Sequence, residues 1–200
     1  MANVSRINGF TPVKHQTGAP YNGQFTSYAV PASDATALGV GDVVKLLASS
    51  SNVTVSGQTN TYKNVTRAAA GDAVIGTIVG FDIVPDALNT PQFRAASTLR
   101  IVRVADASDL IFLAQTSNGT PAAANLGLNF NHANGTLSTT TGLSGATLDL
   151  NGGTGGGATA TFKLLGWDPA PDNDNTSVNN KALVMINNHQ YKGGTGTAGV

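Results

Sequence analysis

The chain has 200 residues, a formal net charge of zero and only 11% charged residues, against ~25% in an average globular domain. Its five Arg and six Lys are scattered, which leaves no electrostatic footprint for nucleic acid or an anionic membrane. The absence of cysteine removes disulfide, thiolate and Cys-metal chemistry, and no apolar run approaches the ~20 residues that cross a bilayer.

All eleven acidic residues are Asp, so the acidic helix former is missing while the turn-forming acid is kept. With 24 Gly and abundant Thr, Asn and Ser, long amphipathic helices are not expected. The chain reads as mainly β: one barrel or sandwich, jelly-roll or β-tulip-like, with one short helix and extended termini. A surface of neutral polar groups costs little to desolvate in a permanent contact.

Residues 1–24 carry Pro12, Pro20 and the Asn8-Gly9 and Asn22-Gly23 turn signals without sustained periodicity, and read as an arm. The β domain is expected over 25–191. Phe25 to Val30 has strand composition, and 33–38 reads as a loop or single helical turn. Gly41-Asp42 and Gly71-Asp72 each stand directly before a β-branched run, 43–47 and 74–81. Gly supplies a positive φ, Asp bonds back to nearby backbone, and the Val/Ile run fits a pleated, half-buried surface. Residues 49–52 read as a loop, and 53–55 faces 62–66 as a hairpin across Gly57-Gln58-Thr59-Asn60. Gly76 and Gly80 allow a bulge or a close backbone approach.

Residues 82–96 lack periodicity and hold Pro85, Pro91 and Phe93-Arg94; loops of this length are commonly functional. The runs 98–104 and 110–115 read as paired strands. Thr120 as N-cap, Pro121 at the first position and Gly127 as terminator predict one short helix. Asn134-Gly135 between 128–130 and 136–139 predicts a second hairpin. Residues 151–157 form a glycine-rich, flexible loop. Strands at 159–167 and 181–187 flank the Asp/Asn-rich turn 169–175, and 192–200 reads as a floppy tail.

No motif for catalysis or cofactor binding stands. Gly153-Thr154-Gly155-Gly156-Gly157-Ala158 fits a dinucleotide pattern, but β-like residues follow where a helix N-terminus is needed. Asp168, Asp172 and Asp174 with Asn173 and Asn175 offer spaced oxygens, yet an EF-hand needs a bidentate Glu, so Asx-turn chemistry is expected. His15, His132 and His189 form no i, i+4 pair, and Gly142-Leu143-Ser144-Gly145 misses the nucleophile-elbow spacing. The expectation is a non-enzyme without cofactor or metal.

The opening Ala2-Asn3-Val4-Ser5-Arg6-Ile7-Asn8-Gly9-Phe10-Thr11-Pro12-Val13-Lys14-His15, the following Gly18-Ala19-Pro20-Tyr21-Asn22-Gly23-Gln24 and the closing Ile186-Asn187-Asn188-His189-Gln190-Tyr191 resemble tailed-phage virion structural proteins. The likeness runs nearly end to end. Residues 31–47 and 68–76 also resemble the small β modules of phage capsid decoration, or cement, proteins. That resemblance implies a protein made in the host cytoplasm and carried on the virion's outer surface, bound to the major capsid protein and to itself as a dimer or trimer. A tail-associated or receptor-binding β protein is the alternative. On a capsid the arm is expected to order through Arg6, Phe10, Lys14, His15 and Tyr21, with Phe93 and Arg94 of the long loop as a second contact, because aromatic and Arg side chains carry most interface energy.

Overall fold

The computed structural model describes residues 3–55, 57–84, 87–151 and 157–192. Most of the glycine-rich 151–157 stretch, with the dinucleotide-like pattern in it, lies outside the described residues, as does the tail beyond Lys192. Among the described residues the chain forms eleven strands and a single 3₁₀ turn, so the mainly-β class holds.

Strands β2 (Thr26–Val30), β3 (Val43–Val55), β4 (Gln58–Arg67), β5 (Gly76–Phe81) and β6 (Arg100–Ala105) close into a barrel in the order β2-β4-β3-β5-β6. A second sheet runs β1 (Thr11–His15), β7 (Leu110–Ser117), β11 (Lys181–Ile186), β10 (Phe162–Trp167), β8 (Asn129–Ala133) and β9 (Thr147–Asp149). β9 returns to β7 through Thr116↔Leu148 and Ser117↔Asp149. Five strands of this sheet therefore also run in a circuit, with β1 laid on β7 at residues 110–113.

The two units share a wall. Val44, Ile75 and Val104 fill the barrel interior with Tyr28, Val30, Leu46, Val65, Ile78 and Val102. Their chain neighbours Val43, Val74 and Ala105 point the other way, into a core with Phe10, Phe112, Phe130, Phe162, Leu164 and Val184. Successive strand residues face opposite sides of a sheet, so strands buried on both sides need a continuous apolar run instead of an alternating one. This is why Val and Ile follow both Gly-Asp pairs without a polar break.

The two Gly-Asp turns have one geometry. Asp42 N–H donates to Gly39 O (3.3 Å) and Asp72 N–H to Ala69 O (3.1 Å). The Gly39 and Ala69 N–H groups donate back to the Asp42 and Asp72 carboxylates, both at 2.7 Å. Gly41 and Gly71 stand at φ +90° and +82°, as the third position of a type II turn requires. Both turns also grip the second sheet: Ser144 Oγ donates to Asp42 Oδ1 (2.6 Å) and Gly71 N–H to Thr161 Oγ1 (3.3 Å).

Several expectations are corrected. Thr11–His15 is a strand, not part of an arm, because its edge completes β7. Residues 49–52 are not a loop: β3 runs through them to Val55, which pairs with Gln58, after an irregularity between Leu46 and Ser50. β6 and β7 do not pair; residues 106–109 carry the chain from one unit to the other. The helix shrinks to a 3₁₀ turn, Ala123–Asn125, whose entry is held by Ala122 N–H donating to Asn125 Oδ1 (2.8 Å) rather than by Thr120. Asn134-Gly135 closes no tight hairpin, since β8 pairs with β9 at Ala133↔Thr147 and Gly135 is pressed onto the Gly145 carbonyl. The β10/β11 pairing and the shift between Ile78 and Gly80 agree with the sequence reading.

His132 lies in the shared core, edge-on to Phe10 and Phe162, with Nε2 donating to Ala68 O (3.1 Å) and Nδ1 without a partner. Burial pushes its pKa below the ordinary 6.5, and His189 shifts the same way for the same reason. Below about pH 6.5 the unfolded chain takes up protons that the folded chain refuses, so these groups make stability fall as the pH is lowered. Asp42, pushed up by burial, acts in the opposite sense, so a comparison isolates the imidazole. His132→Phe is expected to flatten the loss of unfolding free energy between pH 7 and 5; denaturant titrations at the two pH values measure it.

Candidate functional site

The seven predicted contact residues do not converge. Phe10 is fully buried, stacked on Phe162 with centroids 4.5 Å apart and planes 9° from parallel, so it is a core residue and not an anchor. Arg94 is also fully buried. Its Nη2 donates to the carbonyls of Pro31 (2.8 Å) and Asp34 (2.7 Å), its Nε to Thr98 O (2.8 Å) and its Nη1 to Thr36 O. It is a loop organiser and is withdrawn as a contact. His15 is half-buried beside Asp109 (3.0 Å). Tyr21 is half-buried against the second core, with its hydroxyl donating to Gln24 O (2.7 Å). Lys14 and Arg6 are exposed, and Phe93 is half-buried in the long loop.

Arg6 borders a groove of about 260 Å³ between the N-terminal segment and the turn before β11. That turn is organised by Asn173, whose Nδ2 donates to Asp168 O and Asn180 Oδ1, both at 2.8 Å. The Asp174 carboxylate accepts from Thr176 and Ser177, and these bonds hold its pKa down to about 2. The Asp174 oxygens are engaged in Asx-type turn bonds, as the sequence predicted, whereas the Asp172 carboxylate pairs with Lys181 (2.8 Å). Among the described residues no group of three His, Asp or similar ligands is placed to hold a metal ion.

The long loop is different. Ile83 and Leu88 are 73% and 78% exposed, and Leu99 is exposed as well. Ile83 and Leu88 rim a recess of about 310 Å³ that also touches Phe81, Thr90, Gln92 and Arg100. Beneath them Arg100 donates from Nη1 to Pro91 O (2.9 Å) and Phe93 O (3.3 Å) and from Nη2 to Asp82 O (3.3 Å), with its guanidinium 5.4 Å from the Phe81 ring centre. Arg94 holds the same loop from the other side. Alongside, Arg103 pairs with Asp82 (2.5 Å) and lies over the exposed Phe25.

Arg100 thus holds the loop at the carbonyls of Asp82, Pro91 and Phe93, and Arg94 at that of Thr98, while the large side chains of Ile83 and Leu88 stay outside. Exposed apolar clusters on a fixed frame are a mark of contact surfaces. The sequence reading reached the loop but named Phe93 and Arg94 and missed Ile83, Leu88 and Leu99. The signal at Ile83 and Leu88 is an apolar residue without a periodic partner, whereas Leu99 falls inside the run 98–104 that reads as a strand.

The motifs that carry the resemblance sit at the junction. Phe10 N–H donates to Gly41 O (2.9 Å), Gln190 N–H to Val74 O (2.9 Å), Leu46 N–H to Gln190 Oε1 (2.7 Å) and His189 Nε2 to Asp106 O (2.9 Å). They tie the second sheet to the barrel. No family model, no curated protein and no solved structure matches this chain.

Proposed function

We propose that this chain is a structural protein of a tailed-phage virion that decorates the outside of the capsid shell and stabilises the head. Its attachment surface is the loop 82–99, seated on the major capsid protein. The observation that carries this reading is the pair Ile83 and Leu88, exposed on a loop whose backbone is held by Arg94 and Arg100. The loop is held at the carbonyls of Asp82, Pro91, Phe93 and Thr98, and a pre-ordered frame lowers the cost of binding. The low charge of the whole chain suits a permanent, weakly salt-dependent contact, and the end-to-end resemblance to virion proteins points the same way.

Burying one such side chain contributes about 1.5–3 kcal/mol. Leu88→Asp is therefore expected to weaken binding to heads lacking the protein by more than about tenfold, with the unfolding midpoint unchanged because the side chain is exposed in the free protein. Titration of purified wild type and variant onto such heads, read by sedimentation with the capsids, measures this. Wild-type affinity of the variant would move the attachment surface elsewhere. Binding to host cells but not to heads would replace the reading with that of a receptor-binding tail protein.

A further inference from the structure

β3 and β4 continue past the barrel as a two-stranded ribbon. From Ser50↔Lys63 to Val55↔Gln58 the two strands pair with each other. β5 meets β3 only at Val43 and Val44, and β2 meets β4 only at Asn64. Gln190 covers the Leu46 N–H, and beyond it no strand among the described residues reaches the outer edge of β3. Ala48, Ser49, Ser50, Asn52 and Thr54 are exposed, as are residues 57–61.

Such a ribbon is an anomaly. A two-stranded hairpin without a third strand or a core is marginal in water, and natural edges are guarded by charge, Pro or a covering element. Residues 46–62 contain neither a charged residue nor Pro. The first charge is Lys63, on β4 and opposite Ser50, so it guards β4's edge and leaves that of β3 open. Within the ribbon, Thr54 and Thr59 hydroxyls bond at 2.7 Å and Thr61 Oγ1 donates to Asn52 Oδ1 at 2.8 Å, so these side chains pair across the ribbon while no strand among the described residues pairs with the outer edge of β3 beyond Val44.

We propose that this ribbon is a self-association element: the outer edges of β3 from two copies pair antiparallel about a two-fold axis and make a four-stranded sheet. A two-fold contact must be self-complementary, and this segment is. Centred on Asn52, the register sets Asn52 against its own copy, Ser51 against Val53 and Ser50 against Thr54. The Asn52 amides meet each other, the Ser50 and Thr54 hydroxyls meet, Ser51 lies beside Val53, no like charges meet, and both Lys63 side chains stay on the far strands. Main-chain hydrogen bonds supply the affinity, as in strand addition generally. Residues 48–54 span about 23 Å at ~3.3 Å per residue. A single paired edge of that length buries less than the ~800 Å² per partner of a stable interface, so a reversible dimer is expected, and it needs no capsid to form.

The test uses the free full-length chain. Sedimentation equilibrium over a range of on the order of 1–500 μM is expected to show monomer passing to dimer, with dissociation in the upper half of that range. Ser51→Lys places like charges near the axis and should weaken the dimer by about two- to fivefold, with the thermal midpoint unchanged. Because the chain has no cysteine, Asn52→Cys should form a disulfide dimer under mild oxidation, whereas Thr59→Cys, equally exposed but on the far strand, should not. A monomer at all concentrations, a dimer indifferent to Ser51→Lys, or equal cross-linking of the two cysteine variants would each overturn the proposal. None of these outcomes bears on attachment through the loop 82–99, which is read from capsid binding by Leu88→Asp.

Discussion

Phe10→Ala is expected to cost this protein about 3–5 kcal/mol, the range for removing a buried phenylalanine, and to lower its thermal midpoint by on the order of 10 °C at ~2–4 °C per kcal/mol for a chain of this size. The ring has no exposed surface, stacks on Phe162 and meets His132 edge-on. It is delivered there by the bond from its own N–H to Gly41 O. Alanine would leave a cavity lined by aromatic rings from β8 and β10, which cannot relax independently of their sheet. Phe10→Leu should recover about half of the loss by refilling part of the volume. Chemical denaturation of the three proteins measures the series; an alanine variant as stable as wild type would mean that the N-terminal segment is not part of the core. A deletion of residues 2–24 would remove Phe10 and β1 together, so a truncated protein that fails to bind capsids would report on folding, not on a lost anchor.

The sequence was most legible where structure is local. Gly41-Asp42 and Gly71-Asp72 could be read as turns because four residues contain the whole device: the positive φ, the returning carboxylate and the strand that follows. The β10/β11 pair was legible because Asn173 and its neighbours close the connection between them. What could not be read was pairing between distant segments. β6 and β7 follow one another with four residues between, as a hairpin would, yet belong to different units, and only the competing edges of β2, β5 and β11 decide that. β9 has three residues, too few for a periodic signal. Residues 49–52 have loop composition and become strand because β4 lies opposite, an instance of neighbours outweighing propensity.

The same limit misplaced the site. A Phe in a polar, proline-bearing stretch and an Arg in a long loop both fit the description of interface anchors, and nothing adjacent to them in sequence says otherwise. Phe10 is buried by Phe162 and Arg94 by residues 31–36, partners separated from them by well over fifty positions. Conversely, Phe10 in the stretch that suggested a wrapping arm, and His189 and Gln190 at the end of the β domain, make bonds that join the two units, which gives the end motifs a structural reason independent of any partner.

Arg94 offers the sharpest separation of scaffold from contact. Arg94→Ala would leave the carbonyls of Pro31, Asp34, Thr36 and Thr98 without their donor and the neighbouring Asp34 carboxylate, 3.8 Å away, without its cation. Each buried polar group so orphaned costs about 1–3 kcal/mol, partly relieved as water enters, so a loss of about 3–5 kcal/mol is expected, the range for breaking a buried charged group from its partners. Arg94→Lys keeps the charge but offers three donors on a point instead of a planar fork of five. If geometry is what matters, lysine should recover less than half the loss; full recovery would show that charge near Asp34 suffices. Limited proteolysis gives the second readout: in both variants the loop 82–99 should be cut faster than in wild type, because its frame and not its surface has been removed. Leu88→Asp should do the reverse, leaving stability and protease resistance intact while weakening capsid binding. A protein in which Arg94→Ala lost capsid affinity but kept its stability would require Arg94 to reach the partner, which a side chain with no exposed surface cannot do.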